Sequence, residues 1–164
     1  MTNIRTSIGL VALFLLLSAC DSGKLDKGSN APDFKLKDVA QATHQLSEYK
    51  GKVVWVHFWT DWCKSCRAEF PKIEATYSSL KNKANFELLA INVGQPATTS
   101  AQFQKDFSAS FPMLVDEQGI MKDLYQVEAY PTNYFISPDG KVIRRIIGWL
   151  TQNQVEVILA AYEQ

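Results

Sequence analysis

Phe58-Trp59-Thr60-Asp61-Trp62-Cys63-Lys64-Ser65-Cys66 sets two cysteines two residues apart, after an apolar run and at the start of a helical pattern. A strand that turns into a helix there leaves Cys63 at the helix N-terminus. Unpaired amide donors and the positive end of the helix dipole favour its thiolate. Cys66, just under one helical turn on, is placed to close a disulfide. A Cys63 thiolate attacks a foreign disulfide, and Cys66 resolves the mixed disulfide by attacking the first sulfur. Two other uses of the pair stand beside this one. A zinc site needs about four ligands, and the chain adds only Cys20, His44 and His57, none in ligand spacing, so the expectation is no metal. A structural disulfide here would close a very small loop and constrain the unfolded chain little.

Outward from the cysteines, strand and helix patterns alternate. Val53 to Trp59 is apolar except for His57, as in a central strand covered on both faces. The following helix is expected over 63–81, with Pro71 removing a donor inside it. Strands are expected over 86–93, 113–115, 133–136 and 142–147, and helical segments over 100–107, 120–125 and around Val155, Leu159 and Tyr162. Pro138-Asp139-Gly140 marks a hairpin turn. Phe34-Lys35-Leu36 and His44-Gln45-Leu46 read as an N-terminal hairpin. The class is α/β, a sandwich with a mixed central sheet.

The N-terminus reads as an export signal. Residues 1–19 carry Arg5 and an apolar stretch from Ile8 to Leu17, about half the ~20 residues a helix needs to span a bilayer. Leu17-Ser18-Ala19-Cys20 resembles the bacterial lipobox, which implies cleavage before Cys20, its acylation, and a mature protein on the outer face of a membrane. Several acyl chains make a stable anchor where one is marginal. An ordinary signal peptide with an incidental cysteine is the alternative. Asp21 resembles the signal that keeps lipoproteins on the inner membrane, facing the periplasm, in organisms with an outer membrane. Residues 20–30 read as lipidated cysteine plus flexible tether, and 31–164 as one domain. Loss of the leader deletes Arg5 and no acid, leaving 16 basic residues of 17 against 17 acidic, a balance that gives nucleic acid no footprint.

Trp62-Cys-x-x-Cys66, Pro71 in the next helix and Tyr130-Pro131-Thr132 before a strand resemble the thioredoxin superfamily, over roughly residues 30–163. Phe58 to Cys63, Arg67-Ala68-Glu69-Phe70-Pro71, the extra segment 100–125 and Ser137-Pro138-Asp139-Gly140 resemble its membrane-anchored TlpA/ResA-like branch. The resemblance implies a three-layer thioredoxin-like sandwich with an N-terminal hairpin and an insertion. It implies an extracytoplasmic thiol-disulfide oxidoreductase with no cofactor beyond the Cys63–Cys66 pair, acting on exported protein thiols and disulfides, often as a reductant in cytochrome c maturation. Its electron donor would be a membrane protein.

By the same resemblance Pro131 is cis and lies beside the dithiol, so that the backbone edge of Tyr130 meets a substrate strand; a trans proline starting an edge strand is the alternative. His57 stands where thioredoxin has a buried acid and TlpA-like proteins often have asparagine. It is either an acceptor for the Cys66 proton or a core histidine. Glu69, three residues after Cys66, shares its helical face. The branch carries a functional glutamate here, and the alternative is a solvated helix charge. Lys64 and Arg67 are cations that favour the thiolate weakly, and Ser65 replaces a frequent proline. Trp59 and Trp62 are expected as an apolar apron that receives substrate, with Trp55, Phe58 and Trp149 in the core.

Three other functions share parts of this pattern. A disulfide-forming oxidant differs only in the stability of its reduced form. A thiol peroxidase would use Thr60-x-x-Cys63, but Val56 stands where that pattern wants proline. A copper-delivery module would want Cys-x-x-x-Cys and a later histidine, and no histidine follows His57.

Overall fold

The computed structural model describes residues 25–162. The leader, Cys20 and Asp21 lie outside the described residues. The chain runs through β1 (Lys35–Lys37), β2 (Thr43–Gln45), a 3-10 turn (Leu46–Tyr49), β3 (Val53–Trp59), α1 (Lys64–Leu80), β4 (Phe86–Val93) and α2 (Ala97–Phe107). It continues through β5 (Met113–Asp116), α3 (Ile120–Leu124), β6 (Thr132–Ile136), β7 (Val142–Ile147) and α4 (Gln152–Ala160). β1 and β2 form the N-terminal hairpin.

All of β3 is buried, as its apolar run requires. It sits in the middle of a five-stranded sheet of order β5-β4-β3-β6-β7, parallel to β4 and antiparallel to β6. Strand alternation sends Val53, Trp55 and Trp59 to one face, against Phe70 and Ile73 of α1 and Val155 and Leu159 of α4. Val54, Val56 and Phe58 go to the other, with Phe34, Leu46, Met121 and Tyr125. The result is the expected three-layer α/β sandwich with a mixed sheet, and the inserted segment supplies α2, β5 and α3. Among the described residues no helix is long and apolar enough to cross a membrane.

Three readings of the sequence change. α2 starts at Ala97 rather than 100, because its first turn faces outward and only Ser100 and Phe103 are buried to give an apolar signal. Trp149 is not core but 57% exposed. It follows Gly148, whose φ of +96° turns the chain out of β7, so strand alternation no longer governs it. The end of the stretch read as tether is docked: the Gly28 N–H donates to Val142 O (2.8 Å), Ser29 O accepts from Val142 N–H (2.9 Å), and the Ala31 N–H donates to Gly140 O (2.9 Å). The free edge of β7 offers unpaired backbone groups, and this segment satisfies them.

Candidate active site

β3 ends at Trp59, and the turn 60–62 delivers Cys63 as the N-cap of α1. Its Sγ accepts the Cys66 N–H at 3.2 Å, which is the helix-end stabilisation the spacing predicts. Cys63 and Cys66 form a disulfide with Cα atoms 5.3 Å apart, so the structure shows the oxidised pair. Cys63 is 7% exposed and Cys66 0%. Only Cys63 offers an edge to a second molecule. Ser65 Oγ lies 3.2 Å from Cys63 Sγ. The turn is held from β4 and its loop: Gln95 Oε1 accepts the Asp61 N–H (2.9 Å) and an Asn92 Nδ2 proton (2.8 Å), and Gln95 Nε2 donates to Asp61 Oδ1. Sequence spacing gave no signal for this brace, which joins residues 34 apart.

Glu69 is not a solvated helix charge. It is 2% exposed, with Oε1 accepting the Leu150 N–H at 3.0 Å and Oε2 without a hydrogen-bond partner among the described residues. Burial pushes its pKa up to about 7, against the smaller lowering effects of the Leu150 bond and Lys72. Glu69 borders an open cleft of about 240 Å³ lined also by Ser65, Ala68, Lys72 and Trp149. The Lys72 ammonium sits 4.5 Å from the centre of the Trp149 ring.

His57 is wholly buried on the α1 side of β3, its ring edge-on to Phe70 at 5.8 Å. Burial pushes its pKa down to about 4, partly countered by a 2.8 Å hydrogen bond to Asn133. Tyr130-Pro131 is cis, and the Tyr130 ring meets Trp62 edge-on at 5.7 Å, bringing the proline loop to the dithiol turn. Trp62 is 67% exposed. Trp59 is not part of the apron: it is fully buried against Phe103 (4.3 Å) and Phe70 (4.9 Å), because β3 alternation turns it inward under α1 and α2. The Arg67 guanidinium lies over the rings of Phe103 and Phe107, 5.2 and 5.6 Å from their centres. Among the described residues no group of three or more His, Cys, Asp or Glu side chains is arranged to hold a metal ion.

A model of the AhpC/TSA family matches residues 27–145 of the chain. The chain belongs to that family. Within it the chain is 34% identical over 158 residues to the thiol-disulfide oxidoreductase ResA of Bacillus subtilis, covering 93% of this chain and 88% of that one. A solved Chlorobium tepidum structure described as a thiol:disulfide interchange protein DsbE matches at a TM-score of 0.77 with 31% identity, covering 85% of this chain and 99% of the other. The exposed lipoprotein thioredoxin of Streptococcus pneumoniae matches at 0.69 with 29% identity, covering 79% and 99%. The thioredoxin-like fold, the capped dithiol and the ResA-type likeness make this AhpC/TSA protein a thiol-disulfide oxidoreductase.

Proposed function

We propose that the protein is an extracytoplasmic reductant, anchored to a membrane by acylated Cys20 and recharged by a membrane electron donor, which reduces disulfides of exported proteins, apocytochrome c among them. The observation that carries the direction is the buried carboxyl of Glu69 on the same helical face as Cys66. An anion there disfavours thiolate, and a reduced form that is hard to stabilise makes a low-potential couple, which gives electrons away. The likeness to an exposed lipoprotein thioredoxin supports the anchor.

In the reduced enzyme, Cys63 attacks the substrate disulfide and releases one substrate thiol. Cys66 then attacks Cys63 and releases the second. Two electrons pass from dithiol to substrate, and the dithiol gives up two protons. Glu69, bordering the cleft, and His57, on the α1 side of the sheet, are buried groups able to accept them. Trp62 and the backbone edge of Tyr130 receive the substrate chain.

The test is the reduction potential of the pair in a fragment beginning after Cys20, equilibrated against dithiothreitol. A value near the roughly −270 mV of thioredoxin supports a reductant, and one near the roughly −120 mV of a strong oxidant overturns the assignment. Trp62→Ala is expected to raise KM for a protein disulfide about tenfold, the loss of ~1.4 kcal/mol of an exposed aromatic anchor. The potential should stay unchanged, since the side chain is outside the core. A tenfold fall in kcat at constant KM would instead place Trp62 in the chemistry.

A further inference from the structure

His57 and Asn133 are directly opposed in the β3–β6 register. Asn133 Oδ1 accepts the Trp55 indole N–H at 2.9 Å and lies 2.8 Å from His57 Nδ1. Its Nδ2 donates to Gly148 O at 2.8 Å and toward Ile146 O at 3.4 Å. An indole N–H only donates and a carbonyl only accepts, so one orientation of the amide satisfies all these contacts. Oδ1 then needs a donor from His57. A neutral imidazole has one N–H, so Nδ1 carries the proton and Nε2 is bare. That Nε2 is buried and has no hydrogen-bond partner among the described residues. An unpaired buried acceptor is costly to keep, and such a group calls for a use.

We infer that Asn133 is a positioning residue for the thiol-disulfide reaction: it fixes His57 in the Nδ1–H form, and so presents a bare Nε2 lone pair on the α1 side of the sheet to accept the proton of Cys66. This rests on the reductase reading above. The ring meets α1 at Phe70, which lies one turn beyond Cys66 on the buried face of the helix. In the mixed disulfide the Cys66 S–H passes its proton to Nε2. The sulfur electron pair forms the Cys66–Cys63 bond, and the bond from Cys63 to substrate breaks, its pair leaving on the substrate sulfur. The substrate thiolate takes a proton from solvent, and the imidazolium gives up its own once the neutral disulfide has closed. Cys66 is wholly buried, so solvent is a poor acceptor for its proton.

Among the described residues, α1 turns four titratable side chains inward on this side: Cys63, Cys66 and Glu69 toward its N-terminal end, and the Tyr77 phenol two turns further on. β4 places Ala90 beside His57 and β6 places neutral Asn133. Burial and the Asn133 bond account for the shift of His57, with no charged side chain entering. The amide also ties the two proton acceptors together. It holds Gly148 O, while two residues on the Leu150 N–H holds Glu69.

The experiment has two readouts on the reduced protein. Nitrogen-15 NMR of the wild type should show His57 protonated at Nδ1 and bare at Nε2; the opposite form would overturn the inference. Stopped-flow measurement with a fluorophore-labelled peptide disulfide separates attack by Cys63 from resolution by Cys66. Asn133→Ala frees the ring to take the Nε2–H form that imidazole prefers in water, and should slow resolution on the order of five- to tenfold with attack unchanged. An unchanged resolution rate in a variant with the altered tautomer would also overturn it. Asn133→Asp keeps the acceptor and adds an anion, which favours imidazolium. The base form then appears only at higher pH, and the rising limb of resolution should move upward in pH, which a purely structural contact would not do. If Asn133→Ala does not fold, the wild-type tautomer and the aspartate profile decide. Failure of the reductase reading would look different: the wild-type reaction with the peptide disulfide would settle with the enzyme still mostly reduced.

Discussion

With alanine in place of Cys66, the enzyme is expected to form its mixed disulfide at the normal rate and then stop, losing turnover by more than about a thousandfold. The structure gives each cysteine one task. Cys63 has the exposed edge and the helix-end position, while Cys66 is wholly buried. The second step in the native enzyme is intramolecular. Well-oriented intramolecular attack corresponds to effective molarities of roughly 10⁵ M and above. An external thiol at ~1 mM cannot match that even if alignment in the enzyme is poor. Quenching the reaction with acid and weighing the adduct by mass spectrometry reads the outcome: one substrate chain on Cys63, stable for hours. Continued turnover by the variant, or failure to form any adduct without Cys66, would overturn the assignment of attacking and resolving sulfurs. The same variant turns protein-disulfide substrates into covalent adducts.

How far the sequence alone carried this picture depends on the kind of order involved. The run Val53 to Trp59 and the Asp139-Gly140 turn are local signals, and β3 to β4 and β6 to β7 follow their expected bounds closely. The dithiol was legible for the same reason, since cap, turn and both sulfurs lie within a few residues. Alternation in a strand buried on both faces says which residues share a side, but not which side meets solvent at the strand end. Trp59 was therefore expected outside and lies inside, and Trp149, past the last strand residue, lies outside. The helix placed Glu69 near Cys66, but its burial depends on Leu150, 81 residues away. Asn133 has the same history. Its role exists only in the register that sets it against His57, 76 residues earlier. Contacts of that length leave no periodic trace in a single sequence.

The second large effect concerns Glu69. Glu69→Gln is expected to slow disulfide exchange on the order of a hundredfold near neutral pH, the usual scale for losing a group that moves a proton in the rate-limiting step. It should also lower the cysteine pKa values above pH 7, where the wild-type carboxylate opposes thiolate formation, and so raise the reduction potential. Thiol titration and equilibration against dithiothreitol check these two shifts; equal values in both proteins would leave Glu69 without an electrostatic role. Stability supplies an independent sign. A pKa of about 7 in the folded protein, against 4.5 in the unfolded chain, means that the native state keeps a proton the unfolded state has lost. The Glu69 contribution is therefore full below about pH 4.5 and is lost as pH rises to about 7, by roughly 3 kcal/mol in all. His57 acts in the opposite direction. Its folded pKa of about 4 lies below its usual 6.5, so the unfolded chain binds the extra proton and stability falls as pH drops from about 6.5 to 4. The two windows overlap between about pH 4.5 and 6.5 with opposite signs, so urea unfolding of the wild type should vary little there, while Glu69→Gln should unmask a loss of stability toward acid and His57→Asn a loss toward neutral pH. The limb unmasked in each variant should keep the window given above, because neither group is among the causes of the other's shift. His57→Asn, which keeps a neutral polar side chain, should fold normally at neutral pH yet resolve its mixed disulfide more slowly. A wild-type resolution rate in that variant would return His57 to the core, while Glu69 would keep its place beside the cleft.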